Sequence, residues 1–316
     1  MLQVFWEACQ IKGIWGGARG MDVFKLVAGL GLGSLGMASN LLLLLAVYRS
    51  NSRCNRLNLQ LVAPIAILDF LGSFVIVLTY ILSLAKGKSE LFTSSWFCPL
   101  FGTWLLIIPS LVTVLVSGMA LDRYLIVVHS RGIPRLWGWL CVSTVCCSFT
   151  ATVLVNTIVY DIIPDPTMTY CKPIGSDLLA SIIRHYSTAI VFVGLFIITF
   201  SYFGVYSHCR KSLATFHVLP DRYLIFPISY LVCLLPRFTY IIWSFFEEIN
   251  VIPPLLLTLG IMGYILLYVA NPCLVFGFQS DLRKEAFHVF LPRPASPPVQ
   301  IPMPNIVKDS CYYSIP

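Results

Sequence analysis

Apolar residues fill seven long blocks of the chain, which short polar segments separate. The blocks cover about residues 22–48, 57–85, 97–128, 135–160, 178–208, 220–246 and 252–278. Each block is at least as long as the roughly 20 residues that an α-helix needs to cross the hydrocarbon core of a bilayer. A helix satisfies its own backbone groups within lipid, so the pattern predicts seven membrane-spanning helices.

A short amphipathic segment and a proline-rich tail follow the last apolar block. Over residues 279–290, apolar side chains recur at helical spacing, at Leu282, Ala286, Phe287 and Phe290. This pattern predicts a short eighth helix on the membrane surface, and the prolines of residues 291–316 predict a disordered cytoplasmic tail. The predicted fold is an all-α membrane protein, a seven-transmembrane helix bundle with a short amphipathic eighth helix.

The overall composition agrees with a protein that lies mostly in lipid. Hydrophobic residues make up 58% of the 316 residues and charged residues 11%, whereas soluble domains carry about 25% charged residues. A soluble core of this size needs a polar surface that the chain cannot supply, so a soluble fold is excluded. No Gly/Ser linker and no internal repeat divide the chain, which predicts one membrane domain over residues 22–278.

The distribution of charge between the loops predicts the orientation of the chain. With residues 1–21 outside, the cytoplasmic side holds 13 of the 21 Lys and Arg residues but only five of the 14 acidic residues. Cytoplasmic loops carry an excess of basic residues, so we expect a multi-pass protein of the plasma membrane with its N-terminus outside and its C-terminus in the cytoplasm. The net charge of +7 then indicates contact with membrane lipids rather than with nucleic acid.

Several short motifs stand at characteristic points of the predicted helices. They are Asn40 after Gly36 and Ser39 in the first helix, Asp69 in the second, Leu121-Asp122-Arg123-Tyr124 at the end of the third, Pro236 in the sixth, and Asn271-Pro272 in the seventh. In this order, each in its own helix, the motifs resemble those of rhodopsin-like (class A) G-protein-coupled receptors. The resemblance covers residues 22–290 and identifies a divergent member, because Leu234 and Val275 replace aromatic residues that the family uses in activation.

The resemblance implies a receptor that binds an extracellular ligand and activates a heterotrimeric G protein when the sixth helix moves outward. Arg123 would contact the G protein, and the hydroxyl of Tyr202 or Tyr206 would hydrogen-bond to the freed Arg123 side chain. Pro236 would kink the moving helix. The residues implied in coupling and activation are Asp122, Arg123, Tyr124, Tyr202, Tyr206, Pro236, Asn271 and Pro272. The structural alternatives are an arginine that extends to the lipid headgroups and a proline that only shapes its helix.

A polar core is a second implication of the resemblance. Asp69 is an ionisable group deep in lipid, where a charge is costly unless it is paired, hydrated or protonated. Asn40 and Asn271 would converge on it through water, in a cluster that the family uses to bind sodium. Val112 and Leu267 stand where further polar ligands are expected, so neither sodium nor any cofactor is predicted. A purely structural polar cluster is the alternative.

A ligand pocket is implied between the third, fifth, sixth and seventh helices. Its candidate walls are Trp104, Leu105, Ile108, His185, Tyr186, Arg237, Tyr240, Trp243 and Tyr264. Leu105 replaces the aspartate of amine receptors, and the seventh helix contains no lysine, which argues against a biogenic amine and against retinal. Arg237 lies in an apolar helix and suits a carboxylate or phosphate, so the hypothesis is a small anionic ligand or an anionic lipid. An internal ion pair with Glu247, Glu248 or Asp177 is the alternative.

The resemblance also implies a disulfide between Cys98, at the start of the third helix, and Cys171, in the loop after the fourth. Both cysteines are extracellular in the predicted orientation, where disulfides persist. Such a bond would hold the loop over the mouth of the bundle. Two reduced thiols are the alternative.

Two other functions compete with the receptor: a membrane transporter of a small solute or lipid, and a seven-helix binding protein without G-protein coupling. Transporters usually show internal repeats and paired interrupted helices, which the sequence lacks. A binding protein that does not couple is compatible with Leu234 and Val275. An enzyme is not expected, because Asp69 is the only acid in the membrane centre and no catalytic Ser/His pair lies at that depth.

Overall fold

The computed structural model describes residues 17–50, 57–86, 91, 97–159, 162–164, 171–173, 178–212, 222–246, 254–278, 282–283 and 286–287. Seven long α-helices dominate these residues. Their bounds are α1 Gly17–Ser50, α2 Leu57–Lys86, α3 Phe97–His129, α4 Arg135–Val159, α5 Leu178–Ser212, α6 Arg222–Phe246 and α7 Pro254–Phe278. Each helix coincides with one apolar block and differs from it by a few residues at its ends.

Six of the helices are long and apolar enough to cross a membrane. Their apolar segments are Lys25–Arg49, Gln60–Ala85, Ile107–His129, Leu136–Leu154, Thr188–Arg210 and Thr258–Gly277. The chain is therefore a multi-pass helical membrane protein. In α6 the apolar segment among the described residues is shorter, Ile225–Pro236. The seventh crossing stays a prediction, as does the surface helix over residues 279–290, of which only residues 282–283 and 286–287 are described.

Six helices contact one another in a closed ring. In this ring α1 packs on α2, α2 on α3, α3 on α5, α5 on α6, α6 on α7, and α7 on α1, while α2 also touches α7. Helix α4 lies outside the ring, against α3 and less extensively against α5. Only 22% of its membrane segment is buried, compared with 61% for α7. The interior of the ring is therefore where side chains from distant parts of the sequence meet.

Helices α6 and α7 come into direct contact at Gly263. A Cβ atom on this residue would collide with the carbonyl oxygen of Cys233. Because that oxygen belongs to the backbone, no side-chain rotation relieves the collision. This approach of α7 to α6 therefore requires glycine, and it occurs three residues before Pro236, which lies inside α6.

A two-stranded antiparallel ribbon lies between α4 and α5 in the sequence. Strand β1 (Ile162–Pro164) pairs with β2 (Cys171–Pro173), with Ile163 opposite Lys172. Both strands contact α3. The hydrophobic pattern predicts no strand here, because a three-residue strand is too short to show alternation of apolar and polar residues.

Candidate functional site

Asn271 of α7 joins three helices inside the ring. Its Nδ2 donates a hydrogen bond to Asp69 Oδ2 of α2 at 2.7 Å, and its Oδ1 accepts one from the Tyr230 hydroxyl of α6 at 2.6 Å. All three residues are at most 2% exposed. Because buried polar groups are normally paired in this way, one amide group links α2, α6 and α7.

Asn40 ties α1 to the same region through a carbonyl group that a proline leaves without its helical donor. Pro272 has no backbone N–H, so the carbonyl oxygen of Tyr268, four residues earlier, has no partner within α7. Asn40 Nδ2 donates to this oxygen at 2.9 Å and to the carbonyl oxygen of Gly36 at 2.9 Å. Neighbouring helices often satisfy backbone groups that a proline frees in a membrane. Among the described residues, Asn40 therefore bonds to the α7 backbone and not directly to Asp69.

Three buried oxygens beside these bonds have no hydrogen-bond partner among the described residues: Asn40 Oδ1, Asp69 Oδ1 and Ser73 Oγ. Ser73 lies one helical turn after Asp69, and its Oγ would collide with a Cβ atom on Gly36. An unpaired buried oxygen costs about 1–3 kcal/mol, and polar interior spaces hold ordered water. The water-mediated contact expected between Asn40 and Asp69 stays a prediction, whereas Asn271, which was also expected to reach Asp69 through water, bonds to it directly.

The two positions at which the family resemblance leads one to look for further sodium ligands are apolar. Val112 of α3 and Leu267 of α7 are completely buried and belong to the hydrophobic core. Their side chains offer no oxygen atom, whereas hard cations bind through several oxygen ligands. The central polar cluster, which we define as Asn40, Asp69, Tyr230 and Asn271, is thus built mainly of hydrogen bonds between helices.

Arg123 lies near the end of α3, beside α5. Its Nη1 donates a hydrogen bond to the Tyr202 hydroxyl at 3.4 Å, which is long for a hydrogen bond and therefore weak. Tyr202 is 2% exposed. The other tyrosine that the sequence proposes as a partner, Tyr206, is half-buried, and its ring lies 6.4 Å from that of Phe203. Tyr202 is thus the tyrosine seen to bond to the arginine.

Asp122 holds the turn between α3 and α4. Its Oδ1 accepts a hydrogen bond from the backbone N–H of Ile133 at 2.9 Å, and its side chain is 2% exposed. At the end of α3, Ser130 adopts a left-handed conformation with φ of 55°, a common way to end a helix. The resemblance implies that the Asp122 carboxylate holds the Arg123 guanidinium in the inactive state. The structure shows, in addition, that this carboxylate binds the backbone of the following turn.

Tyr124, the last residue of the same motif, packs against α5. Its ring centroid lies 5.5 Å from that of Phe200 and 5.4 Å from that of His129. A Cβ atom on Gly204 would collide with its Cε2. The ring of Tyr124 therefore occupies the space that the missing side chain of Gly204 leaves, and it ties α3 to α5.

A stack of aromatic rings connects Arg123 with Asn271. The Tyr202 ring stacks on Phe226 at 4.8 Å, and Phe226 stacks on Tyr230 at 5.3 Å. We call these three residues the aromatic column. Sequence reasoning missed Phe226 and Tyr230, although their spacing of four residues, and a tyrosine in an apolar helix six residues before Pro236, were signals that could have found them.

Three of the predicted pocket residues lie on α3 and α7 within or against the hydrophobic core. Ile108 is 1% exposed, and Trp104 and Tyr264 are half-buried. The predicted pocket residues whose side chains lie outside the described part of the structure are Leu105, Arg237, Tyr240 and Trp243. The pocket and its anionic ligand stay predictions.

The two predicted pocket residues of α5 are His185 and Tyr186. His185 is exposed, and Tyr186 is half-buried. The Tyr186 hydroxyl is 3.0 Å from Ser148 Oγ of α4, and its ring centroid lies 6.1 Å from that of Phe149. Tyr186 therefore contacts α4, the helix outside the ring, and the sequence does not predict this contact.

Cys98 lies at the start of α3 and is 2% exposed. It is not among the free thiols of the described residues. Strand β2, which begins at Cys171, contacts α3. The side chain of Cys171 lies outside the described residues, so the pairing of the two cysteines stays a prediction.

No protein-family model matches the chain, and no curated protein matches its sequence. The resemblance to rhodopsin-like receptors therefore rests on the sequence motifs alone.

Proposed function

We propose that the chain is a divergent rhodopsin-like receptor with seven membrane-spanning helices, which binds an extracellular ligand and activates a heterotrimeric G protein. One observation carries this proposal. The motif residues of α1, α2 and α7 meet at the central polar cluster, and the aromatic column links that cluster to Arg123. The motif residues Asn40, Asp69 and Asn271 lie far apart in the sequence, and the resemblance implies that the receptor family uses them as a polar core.

The proposed activating movement is an outward swing of the first half of α6. Pro236 interrupts the backbone hydrogen bonding of α6 and permits bending. The swing would separate Phe226 from Tyr202 and uncover Arg123, which an approaching G protein would contact. The exposed Arg131 and Arg210 would add positive charge around this opening.

The proposed receptor has a defined orientation in the membrane and a ligand site on its extracellular side. The N-terminus lies outside the plasma membrane and the C-terminus in the cytoplasm, because the basic residues concentrate in the loops on the Arg123 side. A disulfide between Cys98 and Cys171 holds the β-ribbon against α3. The ligand is a small anion or an anionic lipid, with Arg237 as its recognition residue.

Nucleotide exchange on purified heterotrimers tests this function. Membranes that contain the wild type or Arg123→Ala are assayed with a panel of heterotrimers, first without ligand and then with anionic lipids. Arg283→Ala is the matched control, because it also removes one arginine side chain, and Arg283 is exposed and follows α7 in the sequence. We expect exchange that is lost in Arg123→Ala and retained in Arg283→Ala.

A seven-helix binding protein without G-protein coupling, or a transporter, is the second candidate. It is favoured by Leu234 and Val275, which are 1% and 2% exposed. These two residues stand where rhodopsin-like receptors carry aromatic switch residues, and their aliphatic side chains cannot perform that role. An absence of exchange with every heterotrimer, from protein shown to be folded at the cell surface, would favour this candidate. Solute flux into vesicles would then separate transport from binding.

A further inference from the structure

Tyr230 connects the first half of α6 to α7. It lies six residues before Pro236, about 9 Å along the helix, on the Arg123 side of the proline. Its hydroxyl donates a 2.6 Å hydrogen bond to Asn271 Oδ1, and the residue is completely buried. Asn271 is itself held from the other side by Asp69. The part of α6 that would swing is thus bonded to a residue that cannot move freely.

The contact near Pro236 has a different character. There Gly263 of α7 lies against the carbonyl oxygen of Cys233, with no room for a Cβ atom between them. A contact between two backbones does not adapt through side-chain rotation, and a glycine CH group beside a carbonyl oxygen adds a weak attraction. This contact therefore suits a fixed point, about which the rest of α6 can turn.

Leu234 and Val275 stand at the switch positions of rhodopsin-like receptors, and neither can hold α6 against α7 by a side-chain hydrogen bond. Leu234 and Val275 are buried and apolar, so neither forms a hydrogen bond through its side chain. Tyr230 supplies a hydroxyl in the same part of the interior, and its ring also stacks on Phe226 of the aromatic column. Tyr230 thus takes part both in the α6–α7 hydrogen bond and in the aromatic column, whose other end, Tyr202, bonds to Arg123.

From this geometry we infer that the Tyr230 hydroxyl is a latch: its bond to Asn271 holds the first half of α6 against α7, the Gly263–Cys233 contact is the pivot, and opening of α6 breaks the bond and uncovers Arg123. This inference deepens the proposed function. The effect of the latch on a G protein rests on the proposed function. The effect of the latch on the position of α6 does not.

Removal of the hydroxyl has a calculable effect on the position of α6. Tyr230→Phe keeps the ring and its stacking but leaves Asn271 Oδ1 without this donor. A net loss of one neutral hydrogen bond corresponds to a change of about threefold to tenfold in a two-state equilibrium. The ratio of open to closed α6 is expected to rise by that factor.

A distance measurement tests the latch without any G protein. Spin labels at Ile225 of α6 and Leu136 of α4, both exposed, report the position of the first turn of α6. The labels are attached through unnatural amino acids, because Cys141, Cys147 and Cys273 are exposed thiols that would react with ordinary labels.

The variants are Tyr230→Phe, Asn271→Ala, which removes the acceptor, and their double variant. Tyr80→Phe is the matched control: it also removes one tyrosine hydroxyl, but from a ring that covers Gly29 of α1. We expect a larger long-distance fraction in both single variants and no change in the control. The double variant should resemble Asn271→Ala alone, because the bond is already lost. Should Tyr230→Phe fail to fold, Asn271→Ala carries the test.

The outcomes separate the latch from the receptor function. Longer distances in the single variants support the latch, and a matching rise in ligand-free nucleotide exchange supports its role in signalling. Unchanged or shorter distances in Tyr230→Phe overturn the latch, even where the wild type shows exchange that depends on Arg123. Longer distances without exchange from any heterotrimer keep the latch and overturn the receptor function.

Discussion

Replacement of Asn40 tests whether the side chain compensates for the proline of α7. In Asn40→Leu, two hydrogen bonds of 2.9 Å are lost. The carbonyl oxygen of Gly36 keeps the backbone donor that every helix provides four residues later. The carbonyl oxygen of Tyr268 has no such donor, because Pro272 occupies that position. The leucine side chain also prevents water from taking the place of the amide.

The expected cost follows from these two bonds. The bond to Tyr268 joins two helices, and such bonds contribute about 0.6 kcal/mol on average; the bond to Gly36 lies within α1 and is assigned no more than that. A buried carbonyl left without a donor costs about 1–3 kcal/mol. We therefore expect Asn40→Leu to lower the free energy of unfolding by about 2–4 kcal/mol. Ser39→Ala is the matched control, because it removes a 3.1 Å bond to the same Gly36 oxygen and leaves α7 untouched. Its cost should stay below about 1 kcal/mol.

A double-mutant cycle with Pro272→Ala isolates the proposed cause. Alanine at this position restores a backbone N–H that can donate to the Tyr268 oxygen, so Asn40→Leu should cost at least about 1 kcal/mol less in that background. The free energy of unfolding is measured by denaturant titration in bicelles, with circular dichroism as the signal. Additive effects, within about 0.5 kcal/mol, would show that Asn40 does not compensate for Pro272 and would refute the reasoning.

Further predictions concern the end of α3. Gly204→Ala should cost about 1–3 kcal/mol in unfolding free energy, because the added Cβ collides with the Tyr124 ring and overpacking strains the interface; the cost should fall in a Tyr124→Ala background. Asp122→Ala should accelerate amide hydrogen exchange at Ile133 by about tenfold, whereas Asp122→Asn, which keeps the Oδ1 acceptor, should change it little. In a double-mutant cycle, the coupling free energy between Tyr202→Phe and Arg123→Ala should stay below about 0.5 kcal/mol, since the hydrogen bond that joins the two side chains is long; a coupling above about 1 kcal/mol would contradict a weak bond.

The sequence of this protein was sufficient to predict its helices. A run of about 20 apolar residues in lipid forms an α-helix, because its backbone groups must hydrogen-bond within the segment. All seven blocks are helices with nearly the predicted bounds, and the chain is a multi-pass membrane protein. The same reasoning singled out Asp69, Asn40 and Asn271, because polar groups in lipid are rare and costly. Asp69 and Asn271 bond directly, and Asn40 bonds to the α7 backbone at Tyr268.

Only the tertiary structure decided how those groups are paired. Asn40 bonds to an oxygen 228 positions away, and Tyr230 to an amide 41 positions away. Hydropathy specifies which segments enter the membrane, but it carries no information on which face of each helix meets its neighbour. That choice depends on close contacts such as that of Gly263 with Cys233, which fix the rotation of α7 against α6. The contact of Tyr186 with Ser148 of α4 is likewise visible only in the structure. A tyrosine on a membrane helix has the same sequence signature whether it faces a pocket or a neighbouring helix.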